Sequence, residues 1–184
     1  ITLGVVLADT VRYWRGRPGV DNTSTISAFR FFHGPLGFIV TGFGALLSLV
    51  AAPLDNYWHQ LYGIDIALWA PFHMMGVTGA FLGTLGVVYV FSSEAVIERR
   101  EKRRGRRFLG ITALEWGALM SLAGLLNFTL IGFLQFPMVV VGILRIPTYP
   151  LPAIACGALC LVASVRLTAK PGTALLTLLL LSIY

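Results

Sequence analysis

Charge is scarce in this chain. Only 12% of its 184 residues are Asp, Glu, Lys or Arg, whereas 57% are hydrophobic; a soluble domain carries about twice that charged share. The shortage excludes an ordinary water-soluble domain and leaves an integral membrane protein, whose apolar surface faces lipid as well as its own interior. Cysteine is nearly absent. Cys156 and Cys160 are too few for a disulfide framework, or for a zinc or iron–sulfur site of their own. Four apart in a small-residue stretch, they read as packing residues. Histidine is confined to three positions and acids to eight. Phosphate-binding glycine loops, nucleotide fingerprints and a serine–histidine–acid order are all missing.

The charge that is present is mostly positive and mostly in one place. The net charge is +6, and seven of the fourteen basic residues fall within residues 99–107. A basic surface for nucleic acid would be interleaved with aromatic residues along a groove. Here the basic run sits between two apolar stretches, as in a cytoplasmic loop that obeys the positive-inside rule. Nucleic acid is therefore not an expected partner; the lipid bilayer is, and the basic run would also meet anionic headgroups.

Hydropathy divides the rest into an all-α, polytopic transmembrane helix bundle of about four to five spans, forming a single transmembrane domain. The expected spans are residues 28–52, ending before Pro53, then 66–92, 108–136, 153–168 and 172–184, with a charged turn over 94–107. Each of the first three is long enough for the roughly twenty residues that cross the hydrocarbon. Residues 19–27 read as a polar loop, and the proline-studded stretch 137–152 as extended or re-entrant chain. The apolar stub from Ile1 and the apolar run at Tyr184 lead us to expect a portion of a longer polytopic protein. With 99–107 cytoplasmic, alternate crossings put thirteen of the fourteen basic residues on that side, and only Arg145 outside. We expect a multi-pass protein of a bacterial inner membrane, with residues 55–73 at its outer face.

Gly76, Gly79, Gly83 and Gly86 recur at three- and four-residue steps, a stripe that lets a second helix approach closely. His73 precedes the stripe by three residues and so faces the same packed side.

Two histidines and two acids crowd into residues 54–73, the segment between the first two spans. Ionisable groups near a membrane span are costly and mark candidate sites. Asp55 and His59 stand four apart, on one face of a helix. A carboxylate and an imidazole so placed can share a metal ion, with His73 completing the set from the start of the second span, one turn after Pro71. Asp65 is a candidate fourth ligand, or an acceptor that orients an imidazole. One carboxylate and two imidazoles suit copper, zinc or ferrous iron alike. The same residues also fit a plainer reading, because Tyr57, Trp58, Tyr62 and Trp69 form the aromatic belt of an ordinary membrane interface.

The pattern Asp-x3-His-x13-His, with Trp58-His59-Gln60 and Ala70-Pro71-Phe72-His73 around its histidines, resembles the copper-binding stretches of the C subunit of particulate methane and ammonia monooxygenases. The similarity covers about twenty residues. That family carries two such stretches, whereas three histidines allow only one here. The resemblance implies a copper ion held by Asp55, His59 and His73 in a membrane oxidoreductase complex, monooxygenase-like, with other membrane subunits as partners and a small apolar substrate arriving through lipid.

Other polar residues carry competing expectations. His33, near the cytoplasmic end of the first span, reads as a capping or headgroup-facing residue. Glu115 either reaches the basic loop or serves as an ion relay, and Asn127 bonds to a neighbouring helix. Two alternative functions follow: a non-catalytic structural subunit of a respiratory or photosynthetic complex, and an ion-coupled transporter that uses Glu115 and Asn127. A haem between His59 and His73 would leave the carboxylates without a role.

Overall fold

A computed structural model of the chain describes residues 2–16, 25–28, 30–63, 70–102, 105–134, 138–147 and 150–183. The protein is mostly helical, an all-α bundle. Among the described residues, three helices are long and apolar enough to cross a membrane: α2 (Leu36–Tyr62), α3 (Pro71–Arg100) and α4 (Ala113–Leu134). Shorter helices are α1 (Thr2–Trp14), α5 (Pro150–Thr168) and α6 (Thr173–Leu181). Three small antiparallel hairpins occupy connections: β1 (Thr25–Ala28) with β2 (Phe32–Pro35), β3 (Arg107–Phe108) with β4 (Ile111–Thr112), and β5 (Met138–Val141) with β6 (Leu144–Pro147). The chain divides into two compact units, residues 1–93 and 94–184.

In the first unit, α2 and α3 meet along a seam of small residues. On α2 these are Gly37, Thr41, Gly44, Ser48 and Ala51, at alternating steps of four and three. A Cβ on Gly37 would lie 2.6 Å from Val90 Cγ2 and 2.9 Å from the Gly86 carbonyl, and one on Gly44 would strike the Gly83 amide and the Gly79 carbonyl. A Cβ on Gly79 would come 2.7 Å from the Gly44 carbonyl. Backbone thus packs on backbone, which only glycine permits and which membrane helices use in place of a hydrophobic driving force. Ser48 Oγ donates to the Gly76 carbonyl at 3.2 Å, and Thr41 Oγ1 lies 3.4 Å from the Gly83 carbonyl. The glycine stripe expected on α3 is one half of this seam.

Several boundaries differ from expectation, among them the start of α4, at Ala113 and not 108, after the β3–β4 hairpin. α2 begins only at Leu36, after the β1–β2 hairpin, and continues through Pro53 to Tyr62. Proline removes one helical hydrogen bond, but Leu54 to Tyr62 still bond helically, so Asp55 and His59 stand on helix rather than in a loop. α3 likewise runs past residue 92 to Arg100, because Glu and Arg are good helix formers and the first half of the expected charged turn continues the helix.

His33 also departs from the expected headgroup-facing role. It is only 8% exposed, its ring stacks on Tyr13 with centroids 3.4 Å apart, and its backbone N–H donates to Thr10 Oγ1 at 3.0 Å. These contacts tie β2 to α1.

In the second unit α4 buries Ala118, Leu119, Leu122, Ala123 and Leu126, one face at helical spacing. Where α5 turns into α6, hydroxyls replace apolar packing. Thr168 Oγ1 donates to Ser164 O and meets Thr173 Oγ1 at 2.9 Å, while Thr177 Oγ1 donates to Thr173 O. Every hydroxyl proton is used, which lets these residues be fully buried. Cys160 is buried and Cys156 half-buried on α5, both as free thiols. Of the stretch expected to be extended or re-entrant, residues 138–147 form the β5–β6 hairpin, with Val140 opposite Arg145 across a turn that places Gly142 at φ +63°, a conformation that favours glycine; α5 already begins at Pro150.

Candidate metal centre

The α2 seam positions 37, 41, 44, 48 and 51 continue in the same rhythm to Asp55. On α3 the seam runs back through Gly79 and Gly76 to His73, which is three residues before Gly76. The close approach that glycine allows therefore delivers a carboxylate from one helix to an imidazole of the other. His59, one turn beyond Asp55 on α2, joins them.

The resulting cluster is compact. Asp55 Oδ2 lies 3.1 Å from His73 Nε2 and 3.3 Å from His59 Nε2. One donor atom from each of the three residues falls within 4.8 Å of the others. The imidazole centroids are 5.3 Å apart with planes inclined at 54°. The three side chains are about a quarter exposed (21–30%), partly screened and still reachable from outside. Trp58 leans on Tyr62 and meets Phe72 edge-on at 5.8 Å, so aromatic rings brace both helices beside the cluster.

The donor set fits a metal ion. Ligand oxygens and nitrogens about 2.0–2.2 Å from one ion, at right or tetrahedral angles, stand roughly 2.8–3.5 Å apart; the two contacts of Asp55 fall in that range. His59 Nδ1 lies 3.2 Å from the Gly63 carbonyl, and a carbonyl can only accept, so Nδ1 carries a proton. In neutral His59 the lone pair then sits on Nε2, facing Asp55 Oδ2. Two acceptors in that position repel until a proton or a metal cation comes between them. The Gly63 contact is also the usual way a ligating histidine is oriented from its far nitrogen. In addition, Asp55 Oδ1 is buried with no hydrogen-bond partner among the described residues.

Asp55, His59 and His73 are thus brought together, as their spacing suggested. Asp65 lies outside the described residues, as does Trp69. The Gly63 carbonyl was missed from sequence, because a backbone acceptor leaves no residue-type signal. The α2 half of the seam did leave one, since Gly37, Thr41, Gly44, Ser48 and Ala51 repeat the spacing seen on α3.

Glu115 forms a separate polar cluster in the second unit. It is 1% exposed and heads α4 in a reciprocal cap: Thr112 N–H donates to its Oε2 at 2.9 Å, and its own N–H donates to Thr112 Oγ1 at 3.3 Å. This is the Thr-x-x-Glu capping box. Lys170 Nζ is hydrogen-bonded to Oε2, and Arg99 Nε lies 3.6 Å from Oε1. Of the two expectations for Glu115, contact with the basic segment is observed. Asn127 lies half-buried on α4.

Comparison with protein-family models, with curated proteins and with solved structures finds no match for this chain.

Proposed function

We propose that this membrane protein is a metal-binding subunit of an oxidoreductase complex, with one ion, copper by preference, held by Asp55, His59 and His73. The observation that carries the reading is the convergence of one carboxylate oxygen and two imidazole nitrogens from two separate helices. Their mixed N/O character suits copper, zinc or iron; the preference for copper rests on the resemblance of residues 55–73 to the C subunits of particulate methane and ammonia monooxygenases. When bound, copper would supply one-electron redox chemistry at the membrane interface. The chain's own contribution is to hold Asp55 and His59 one turn apart, fix the His59 tautomer through Gly63, and set His73 opposite them.

Further features agree with such a role. Val6, Phe32, Ile39, Phe43, Leu46 and Leu49 line an apolar groove of about 390 Å³ in the same unit, of a character that would admit a small apolar substrate from lipid. Leu49 precedes Asp55 by six residues, roughly 9 Å along the helix. The concentration of basic residues in 99–107 supports a topology with the cluster at the outer face, which we propose is that of a bacterial inner membrane.

The test is elemental analysis of the protein purified from membranes. We expect about one metal ion per chain, lost in the His59→Ala/His73→Ala variant, and a paramagnetic resonance signal with nitrogen coupling if the ion is cupric. Stoichiometric metal that survives both substitutions would sink the site. Metal-free protein that co-purifies with partner subunits would instead assign the chain a structural role.

A further inference from the structure

The second unit carries a polar cluster of its own, built from residues that the proposed metal site does not use. In the second unit, Arg99, Lys102, Arg107 and Lys170 face Glu98 and Glu115 around a cavity of about 360 Å³. Glu115 is already matched, by Lys170, by Arg99 and by the Thr112 amide. Glu98 turns its Oε1 to the space where a Cβ on Gly105 would stand. Lys102 and Arg107 have neither an acidic partner nor a hydrogen-bonded one among the described residues. The cavity therefore holds more positive charge than its own carboxylates neutralise. Thr112, the cap of α4, also lines it, adding the positive end of that helix dipole.

The surroundings indicate where the missing negative charge comes from. The β3–β4 hairpin that carries Arg107 exposes Phe108 (68%) and Leu109 (75%) at its tip. Trp116 Nε1 donates to the Phe108 carbonyl at 3.2 Å and its ring lies 6.0 Å from that of Phe108. Two bare apolar side chains and a tryptophan beside unmatched cations fit the boundary between acyl chains and headgroups. The geometry points to a binding site for the phosphate of an anionic phospholipid headgroup, gripped by Arg107 and Lys102 with Phe108 and Leu109 against its acyl chains. A guanidinium offers a phosphate paired N–H donors and an ammonium a mobile point charge, and basic pockets between membrane helices take such headgroups.

Native mass spectrometry of the detergent-purified protein, titrated with phosphatidylglycerol, phosphatidylcholine or inorganic phosphate, tests the assignment. Phosphatidylglycerol should bind at least tenfold more tightly than phosphatidylcholine. The Lys102→Gln/Arg107→Gln variant should weaken it by roughly tenfold to thirtyfold, since each such cation contributes on the order of a fivefold factor. Both side chains are exposed, so the fold does not depend on them. Arg145→Gln, which removes an exposed cation on β6, should leave binding unchanged. Phosphatidylglycerol binding that ignores the double substitution, or that falls equally with Arg145→Gln, overturns the site. Inorganic phosphate that binds as tightly as the lipid and displaces it overturns the lipid assignment in favour of a soluble anion.

Discussion

Asp55 has two imidazole nitrogens within 3.3 Å of one oxygen, while its other oxygen is buried without a hydrogen-bond partner among the described residues. That imbalance makes its negative charge, more than its shape, the quantity a bound cation would read. Asp55→Asn keeps the shape and removes the charge, and should lower metal affinity by roughly 100-fold or more, at least matching the loss seen when an outer partner is removed. Competition titration with a chelator measures this. Metal loading should also fall as pH is lowered, because protons compete for the imidazole nitrogens. Glu115 illustrates the opposite case, a carboxylate whose partners are all supplied from within. Glu115→Gln leaves Lys170 and Arg99 unmatched and weakens the cap of α4, a loss of about 1–3 kcal/mol given that Lys170 is partly exposed. Denaturant titration in detergent would register it as a lower midpoint. Retained stability would show that the pair is loosely held.

The seam between α2 and α3 is the element that turns spacing into a site. Gly44→Ala places a methyl group against the backbone of Gly79 and Gly83, which no side-chain rotation can relieve. The helices must separate, at about 1–3 kcal/mol, and His73 should move away from Asp55. A fall in metal affinity with no ligand altered is the expected result, read by the same competition titration. Unchanged affinity would show that the ligands, not the seam, set the geometry. Much of this was legible in sequence. Apolar length identified α2, α3 and α4, the i, i+4 spacing put Asp55 and His59 on one face, and the glycine stripe turned His73 inward. What could not be read has physical causes. Pro53 suggests an end to α2, yet one lost hydrogen bond is outweighed by the bonds continuing beyond it. The burial of His33 depends on Tyr13 and Thr10, brought in by tertiary contact. The pairing of Glu115 with Lys170 spans 55 residues, beyond any local pattern, although Thr112-x-x-Glu115 was a visible capping signature.

At the scale of the whole molecule, the distribution of charge predicts a topology. By the positive-inside rule, residues 55–63 and 99–107 are expected on opposite sides. In a background with Cys156 and Cys160 replaced by serine, single cysteines at Asn56 and Arg106 should react with an impermeant thiol reagent from opposite faces of sealed vesicles. Labelling of both from one face would overturn the topology. Among the described residues, the α2–α3 seam is built from backbone contacts and two hydroxyl hydrogen bonds, none of which requires an ion. On the proposed function, the packing of α2 on α3 and not the ion would set the coordination sphere, unlike in small domains that are unfolded without zinc. Chelation should leave the circular dichroism of the protein unchanged, and reloading should be reversible. If the proposed site holds a metal, the chain would wait on metal supply and not on refolding.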